Sequence, residues 1–310
     1  MFVITFDNKC LLGGLGDRIV GLISVKLMSK LLDKQFYILW NKEDIKPYIN
    51  YEKYDYELLN INKTDIKEYN YIDNQTGLKH YLMNQTCLFQ NRINMFRLNQ
   101  EIAQYLYKNK LFEKENYFND IISEYQQLYT NILVPTSYVK DKIDQLINNK
   151  NNIVGIQIRC GDYFISNNVG HSGTTKPYQD SKKYRENMDS YLLNIKKNCD
   201  QTYKDNYNIF FTTDNVKLLD NIIKIFNKSK VIYEDSLIQH LDRNFINSDI
   251  SKIFIDSYIL SQKTKSMFIS SYSNFGRQAA LSSTHNNIYD LDCNLLDKKN
   301  LLSKHEIIFN

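Results

Sequence analysis

Three short segments carry residue types and spacings suited to holding an anion. The first is Gly13-Gly14-Leu15-Gly16-Asp17-Arg18. Glycines between a strand and a helix let backbone N–H groups close on a phosphate, and the helix N-terminus favours its charge. The same residues also suit a plain tight turn with Asp17 as the helix N-cap. They do not form the dinucleotide fingerprint, whose last glycine would fall at Ile19, nor a Walker loop, which needs Gly-Lys-Ser/Thr. The second segment is Val154-Gly155-Ile156-Gln157-Ile158-Arg159-Cys160-Gly161-Asp162-Tyr163. Alternation puts Ile156 and Ile158 on one face of a strand, and Gln157 and Arg159 on the other. Arg159 then leaves the sheet at its carboxyl end, where open α/β sheets bind ligands, with a planar fork for phosphate oxygens. The plainer alternative is an edge arginine paired with Asp162. The third segment, Phe268-Ile269-Ser270-Ser271-Tyr272-Ser273-Asn274-Phe275-Gly276-Arg277, is a strand running into a helix start, again suited to an anion or to ordinary serine capping.

Two acids lie near these segments. Asp214 follows the strand-like Phe211-Thr212-Thr213, and Asp256 lies on the helix before the third segment. Each alone also reads as a cap or a surface residue. Asp290-Leu291-Asp292 matches the metal motif of one glycosyltransferase class, but short motifs match by chance, and no metal role is assigned. The five histidines lack ligand spacing. The five cysteines are scattered, forming neither a zinc pattern nor a disulfide framework.

The elements that must position these residues follow from periodicity. Phe2–Phe6 reads as a buried strand, residues 17–32 as a helix, and Phe36–Trp40 as a strand. Helices are expected near 98–109 and 117–130. Beyond a boundary near Val134-Pro135, or in 148–152, strands at 153–159, 208–213, 231–233, 267–270 and 287–289 alternate with helices at 181–199, 215–227, 250–262 and 274–281. Such alternation predicts parallel sheets covered on both faces. The expected architecture is α/β, with two Rossmann-like domains facing a cleft, at 1–140 and 141–310.

Composition narrows the function. The chain has 310 residues, 43% hydrophobic and 24% charged, with a net charge of +4. That balance is too mild for nucleic acid, which shows a dense basic stripe, but it suits a small anionic ligand. No run approaches the roughly 18 apolar residues of a membrane span. No signal-peptide pattern opens the chain, so the cytoplasm is the expected compartment. Glycine numbers only 10. Nine of these fall in or beside the three segments, with Gly77 the exception, so the glycines read as marks of a diphosphate site.

Taken in order, the segments resemble a fucosyltransferase clan that includes α1,2-, α1,6- and protein O-fucosyltransferases and the nodulation fucosyltransferases. Its Gly-Gly-x-Gly-Asn-like loop, His-x-Arg-x-Gly-Asp-Tyr-like strand and late Ser-x-Phe-Gly-like turn become here Gly13–Asp17, Gln157–Tyr163 and Ser271–Gly276. Thr212-Thr213-Asp214 and Asp256–Ser261 look like the α1,6 and plant cell-wall branches. The resemblance implies a GT-B fold, GDP-fucose as donor, a glycan acceptor, inverting transfer and no metal. It implies that Arg159 holds the β-phosphate of the leaving GDP. Backbone groups of Gly14, Gly16 and Asp17 would assist, with Ser273, Asn274 and Phe275 at a second helix start. Gln157 and Asp256 would lie near the guanine and Asp214 near the nucleoside. Asp17 and Asp162 are the candidate bases. Gln157 stands where a histidine is frequent, Cys160 where a second arginine is, and Asp17 where an asparagine is. The rival readings are transfer from another sugar nucleotide, a nicotinamide-dependent oxidoreductase and a non-catalytic glycan-binding module.

Overall fold

The computed structural model describes residues 1–7, 13–41, 44–59, 69–73, 93–99, 117–160, 187–215, 218–235 and 249–303. The chain forms two compact units. One takes in Met1–Tyr138, His240–Ser248 and Lys299–Asn310, and the other Val139–Gln239 and Asp249–Lys298.

The first unit opens with β1 (Phe2–Phe6), wholly buried, as a strand covered on both faces must be. Helix α1 (Leu15–Leu31) follows, then β2 (Phe36–Trp40), β3 (Ile49–Asn50), β4 (Tyr69–Asp73), β5 (Ile93–Arg97), α2 (Tyr117–Gln126) and β6 (Val134–Pro135). The main sheet runs β2-β1-β5-β4, and each neighbouring pair is parallel. The short β3 and β6 pair antiparallel. Helix α1 is buried almost all round. It lies so close to the chain after β5 that a Cβ on Gly21 would sit 1.9 Å from the Leu98 carbonyl oxygen. Its Lys26 and Lys30 both reach the buried Glu124 carboxylate on α2, Lys30 at 3.0 Å. Helix α2 ends earlier than expected, passing into a wider π turn over Leu128–Ile132. Most of the helix expected at 98–109 lies outside the described residues.

Helix α3 (Ser137–Ile147) leads into β7 (Ile153–Ile158) of the second unit. There follow α4 (Met188–Tyr203), β8 (Asn208–Thr213), α5 (Leu218–Phe226), β9 (Val231–Ile232), α6 (Ser251–Tyr258), β10 (Ser266–Ile269), α7 (Asn274–Ser282), β11 (Ile288–Asp290) and α8 (Lys298–Ser303). The sheet order is β11-β10-β7-β8-β9, again with every pair parallel. One face of this sheet, with Val154, Ile156, Ile158, Ile209 and Phe211, forms a single apolar core with Tyr191, Leu192 and Ile195 of α4 and Ile222 and Phe226 of α5. Cys160 is buried in that core. On the opposite face, Gly155 admits the helix after α6. A Cβ there would lie 2.8 Å from Leu260 Cδ2 and 3.0 Å from Thr264 Cγ2.

The described part of the helix expected from 215 begins at Leu218, and 216–217 lie outside the described residues. Asn215 N–H donates to Thr213 Oγ1 at 3.1 Å, and the Asn215 carbonyl accepts from Leu218 N–H at 3.1 Å. The described part of the helix expected from 181 begins at Met188, and 181–186 lie outside the described residues. Helix α6 continues into a π turn at Ile259–Lys263, covering the helical stretch expected to 262.

Candidate active site

The chain leaves β7 for β8 and β9 on one side, and later returns to lay β10 and β11 on the other. The boundary between β7 and β10 is therefore the topological switch point of the second sheet, where the carboxyl ends of strands diverge and leave a crevice. Gln157, Arg159, Ser270 and Ser273 gather there.

Gln157 lies abreast of Ile269 on β10 and Thr212 on β8. Its side chain is buried and turned toward β10. Ser270 N–H donates to Gln157 Oε1 at 3.2 Å, and Gln157 Nε2 donates to Ser273 Oγ at 3.4 Å. Helix α7 comes so close that a Cβ on Gly276 would sit 2.4 Å from Gln157 Oε1 and 3.1 Å from Ile269 Cβ. Gln157 thus joins the second and third sequence segments.

Arg159, one residue past β7, is held from several sides. Its N–H donates to Ser270 Oγ at 2.9 Å, and Tyr272 OH donates to its carbonyl. Its guanidinium Nε lies 3.3 Å from Asp214 Oδ2, and Asp214 Oδ1 accepts from Cys160 N–H at 2.6 Å. Arg159 is half-buried and Asp214 buried. The described carboxylate partner of Arg159 is thus Asp214. Asp162, a candidate base, lies outside the described residues.

Ser273 is the N-cap residue of α7, and its side chain makes no capping bond. Its N–H donates to Ser270 O at 2.8 Å, and its own carbonyl accepts from Arg277 N–H at 2.9 Å. Arg277 also donates to Asn274 Oδ1. Asn274 and Phe275, the first two helical residues, are half-exposed. A helix start left to its backbone amides is attractive to an anion.

Asp256 sits deeper. Thr212 Oγ1 donates to its Oδ2 at 2.6 Å, and Lys252, one helical turn back, lies 3.1 Å from the same oxygen. Lys252 also donates to the Glu234 carbonyl at 2.9 Å. Burial pushes the Asp256 carboxyl above the ordinary carboxylate value, against the pull of Lys252 and the Thr212 hydrogen bond. Lys252 escaped the sequence reading, and Ser270 entered it only as part of the third segment. The i,i+4 spacing of Lys252 and Asp256 was the available signal for the first.

In the first unit the glycine loop is arranged around its own helix. The N-cap of α1 is Gly14, which corrects the reading of Asp17 as the cap. Asp17 sits three residues later and accepts from Gly14 N–H at 3.0 Å, the half of a capping box that a glycine N-cap permits. Gly13 has φ of +77°, and a Cβ there would meet Asp17 Oδ2 at 2.3 Å. Gly16 is buried in the first turn. Arg18, which sequence alone did not single out, is fully buried. Its Nε donates to Gly13 O at 3.3 Å, and its guanidinium carbon lies 5.3 Å from the Trp40 ring centre and 5.7 Å from that of Phe6. Asp7 and Arg97, at the ends of β1 and β5, form a second unforeseen pair at 2.7 Å.

Asp290 is explained by its own turn, accepting from Asn294 N–H at 2.8 Å and from its side-chain amide at 3.0 Å. Among the described residues, no group of three or more His, Cys, Asp or Glu side chains is placed to hold a metal ion. No described helix is long and apolar enough to cross a membrane.

Solved structures with similar backbones include an Arabidopsis thaliana FUT1 mutant in complex with GDP, at TM-score 0.56 and 14% identity, covering 93% of this chain and 69% of that one. NodZ α-1,6-fucosyltransferase soaked with GDP-fucose matches at TM-score 0.51 and 14% identity, over 91% of this chain and 92% of its own. POFUT1 in complex with GDP-fucose matches at TM-score 0.56 and 9% identity, over 93% and 96%. The chain has the fold of these fucosyltransferases. Neither a protein-family model nor a curated protein sequence matches it. The fold, of GT-B type, is thus shared at 9–14% sequence identity.

Proposed function

We propose that this protein is an inverting, metal-independent glycosyltransferase that moves fucose from GDP-fucose to a glycan hydroxyl. The observation that carries this reading is Arg159, fixed at the switch point of the second sheet beside the side-chain-uncapped start of α7. The GDP and GDP-fucose in the similar structures support the choice of donor.

As the bond from the sugar to the diphosphate breaks, positive charge grows on the sugar and negative charge on GDP. Arg159 offers a planar, permanently charged fork to the diphosphate. The amides of Asn274 and Phe275 add the positive end of the α7 dipole. These preorganised charges favour the charge-separated transition state over the neutral alternative. The acceptor hydroxyl gives its proton to a carboxylate, and Asp17 and Asp162 are the two to substitute. Asp17→Asn is a clean test because the amide oxygen still accepts from Gly14 N–H.

A thermal-shift panel tests the donor. GDP and GDP-fucose should stabilise the protein, by about 2.7 kcal/mol at a hundred times Kd, and UDP, ADP and NAD should not. Equal stabilisation by UDP or NAD would overturn the reading, and no response to any nucleotide would favour a glycan-binding module. Fucose transfer should persist in EDTA.

A further inference from the structure

We infer that Asp214 is a positioning residue for the diphosphate-binding arginine rather than a contact of the nucleoside. The inference rests on the reading of Arg159 as the ligand of the diphosphate. Asp214 uses its two oxygens on two consecutive residues: Oδ2 on the Arg159 guanidinium at 3.3 Å and Oδ1 on the Cys160 amide at 2.6 Å. The first bond sets the side chain and the second sets the backbone from which it springs.

Ser270 and Tyr272 hold the other side of the same residue, through the Arg159 N–H and carbonyl. Backbone and side chain are thus fixed from two strands, β8 and β10, that flank β7. Gripped at Nε, the guanidinium plane has a set direction, and its Nη edge forms the fork. The position of Asp214 serves this purpose. It lies one residue past β8, and Thr213 of β8 is abreast of Ile158, so Asp214 emerges level with Arg159.

This arrangement has an electrostatic cost. A carboxylate beside the guanidinium weakens its attraction for any anion, so a residue selected for raw anion affinity would not be acidic. For a diphosphate, which must meet the fork in one geometry, the orientation gained outweighs that loss. The same orientation favours a transition state, whose geometry is fixed, still more strongly.

The test is a double-mutant cycle read by the preference for GDP over GMP, which isolates the β-phosphate. Wild-type protein should bind GDP well above GMP. Asp214→Asn keeps an oxygen for the Cys160 amide but loses the charge of the ion pair, and should cut that preference by about tenfold, or about 1.4 kcal/mol. GDP release from GDP-fucose should fall about 10²-fold, as expected of a group misplaced by about 1 Å. In an Arg159→Ala background, Asp214→Asn should change the preference no further. Arg159→Lys keeps the charge but lacks Nε–H, and should match Asp214→Asn while Asp214 itself is intact. Additive losses, or tighter GDP binding in Asp214→Asn, would overturn the positioning role. A wild-type protein that does not discriminate GDP from GMP would instead overturn the functional reading beneath it.

Discussion

On the proposed reading the chemistry turns on Arg159, and Arg159→Ala should lower fucose transfer by about 10²–10³-fold, the scale of a lost charge stabiliser. The variant should keep its melting temperature within a few degrees, because the side chain is half-buried and at a strand end. Near-normal transfer would sink the mechanism. His285 makes a different kind of prediction. Burial first, then Lys298 and Lys265, bring its imidazole down from 6.5 to about 4, and Thr264 Oγ1 lies 3.1 Å from its Nε2. The folded state therefore keeps His285 neutral where the unfolded chain protonates it, so stability contributed by His285 is lost as pH falls from 6.5 towards 4. In pH-dependent melting, His285→Gln should flatten that acid limb. An unchanged limb would dismiss the assignment. Sequence singled out Gln157, Arg159, Asp214 and Ser273 at this scale, but it did not name the protein groups that hold them. Gln157 and Asp256 were read as guanine neighbours, and their observed partners are Ser270, Ser273, Thr212 and Lys252. Partners lying far apart in the chain leave no mark in local spacing.

At the scale of elements, glycine shows the limit of reading residues one segment at a time. All ten were taken as a diphosphate signature, apart from Gly77. Gly13 does hold a left-handed turn, but Gly21 and Gly155 admit neighbouring chain, and Gly276 admits the Gln157 side chain. Scarcity marked backbone demand, and at Gly21, Gly155 and Gly276 that demand is close packing. Gly276→Ala should force α7 off β7 and β10, costing about 1–3 kcal/mol by overpacking. It should also weaken GDP binding, because Ser273 and Gln157 would separate. Urea unfolding and GDP titration of the same variant check both halves, and a variant with wild-type values would show that α7 has room to spare. The strands and helices flanking these glycines were legible because their apolar periodicity is local. A helix end drifted where a π turn decided it, at Leu128–Ile132.

At the scale of the molecule, alternating strands and helices announced parallel sheets, and both sheets are parallel among the described residues. Strand order was not legible. It follows from which edge each returning strand joins, and that choice created the switch point where Arg159 stands. The first unit also contains the only tryptophan, Trp40, buried on β2 beside Arg18. Leu301 and Leu302, buried on α8, belong to the same unit. Deleting residues 299–310 should therefore shift Trp40 emission to the red, although Trp40 lies at the other end of the sequence. Unaltered emission would mean that the tail contributes nothing to that unit.

The division of the chain into units that interleave along the sequence has a consequence for synthesis. The ribosome finishes Tyr138 and then makes residues 139–298, which include the whole second unit, before Lys299 emerges. At about 5–20 residues per second, that wait is on the order of ten seconds. The unit begun first is the one completed last. For that interval its sheet stands without Leu301 and Leu302, and a nascent chain stalled before residue 299 is a natural client for a chaperone.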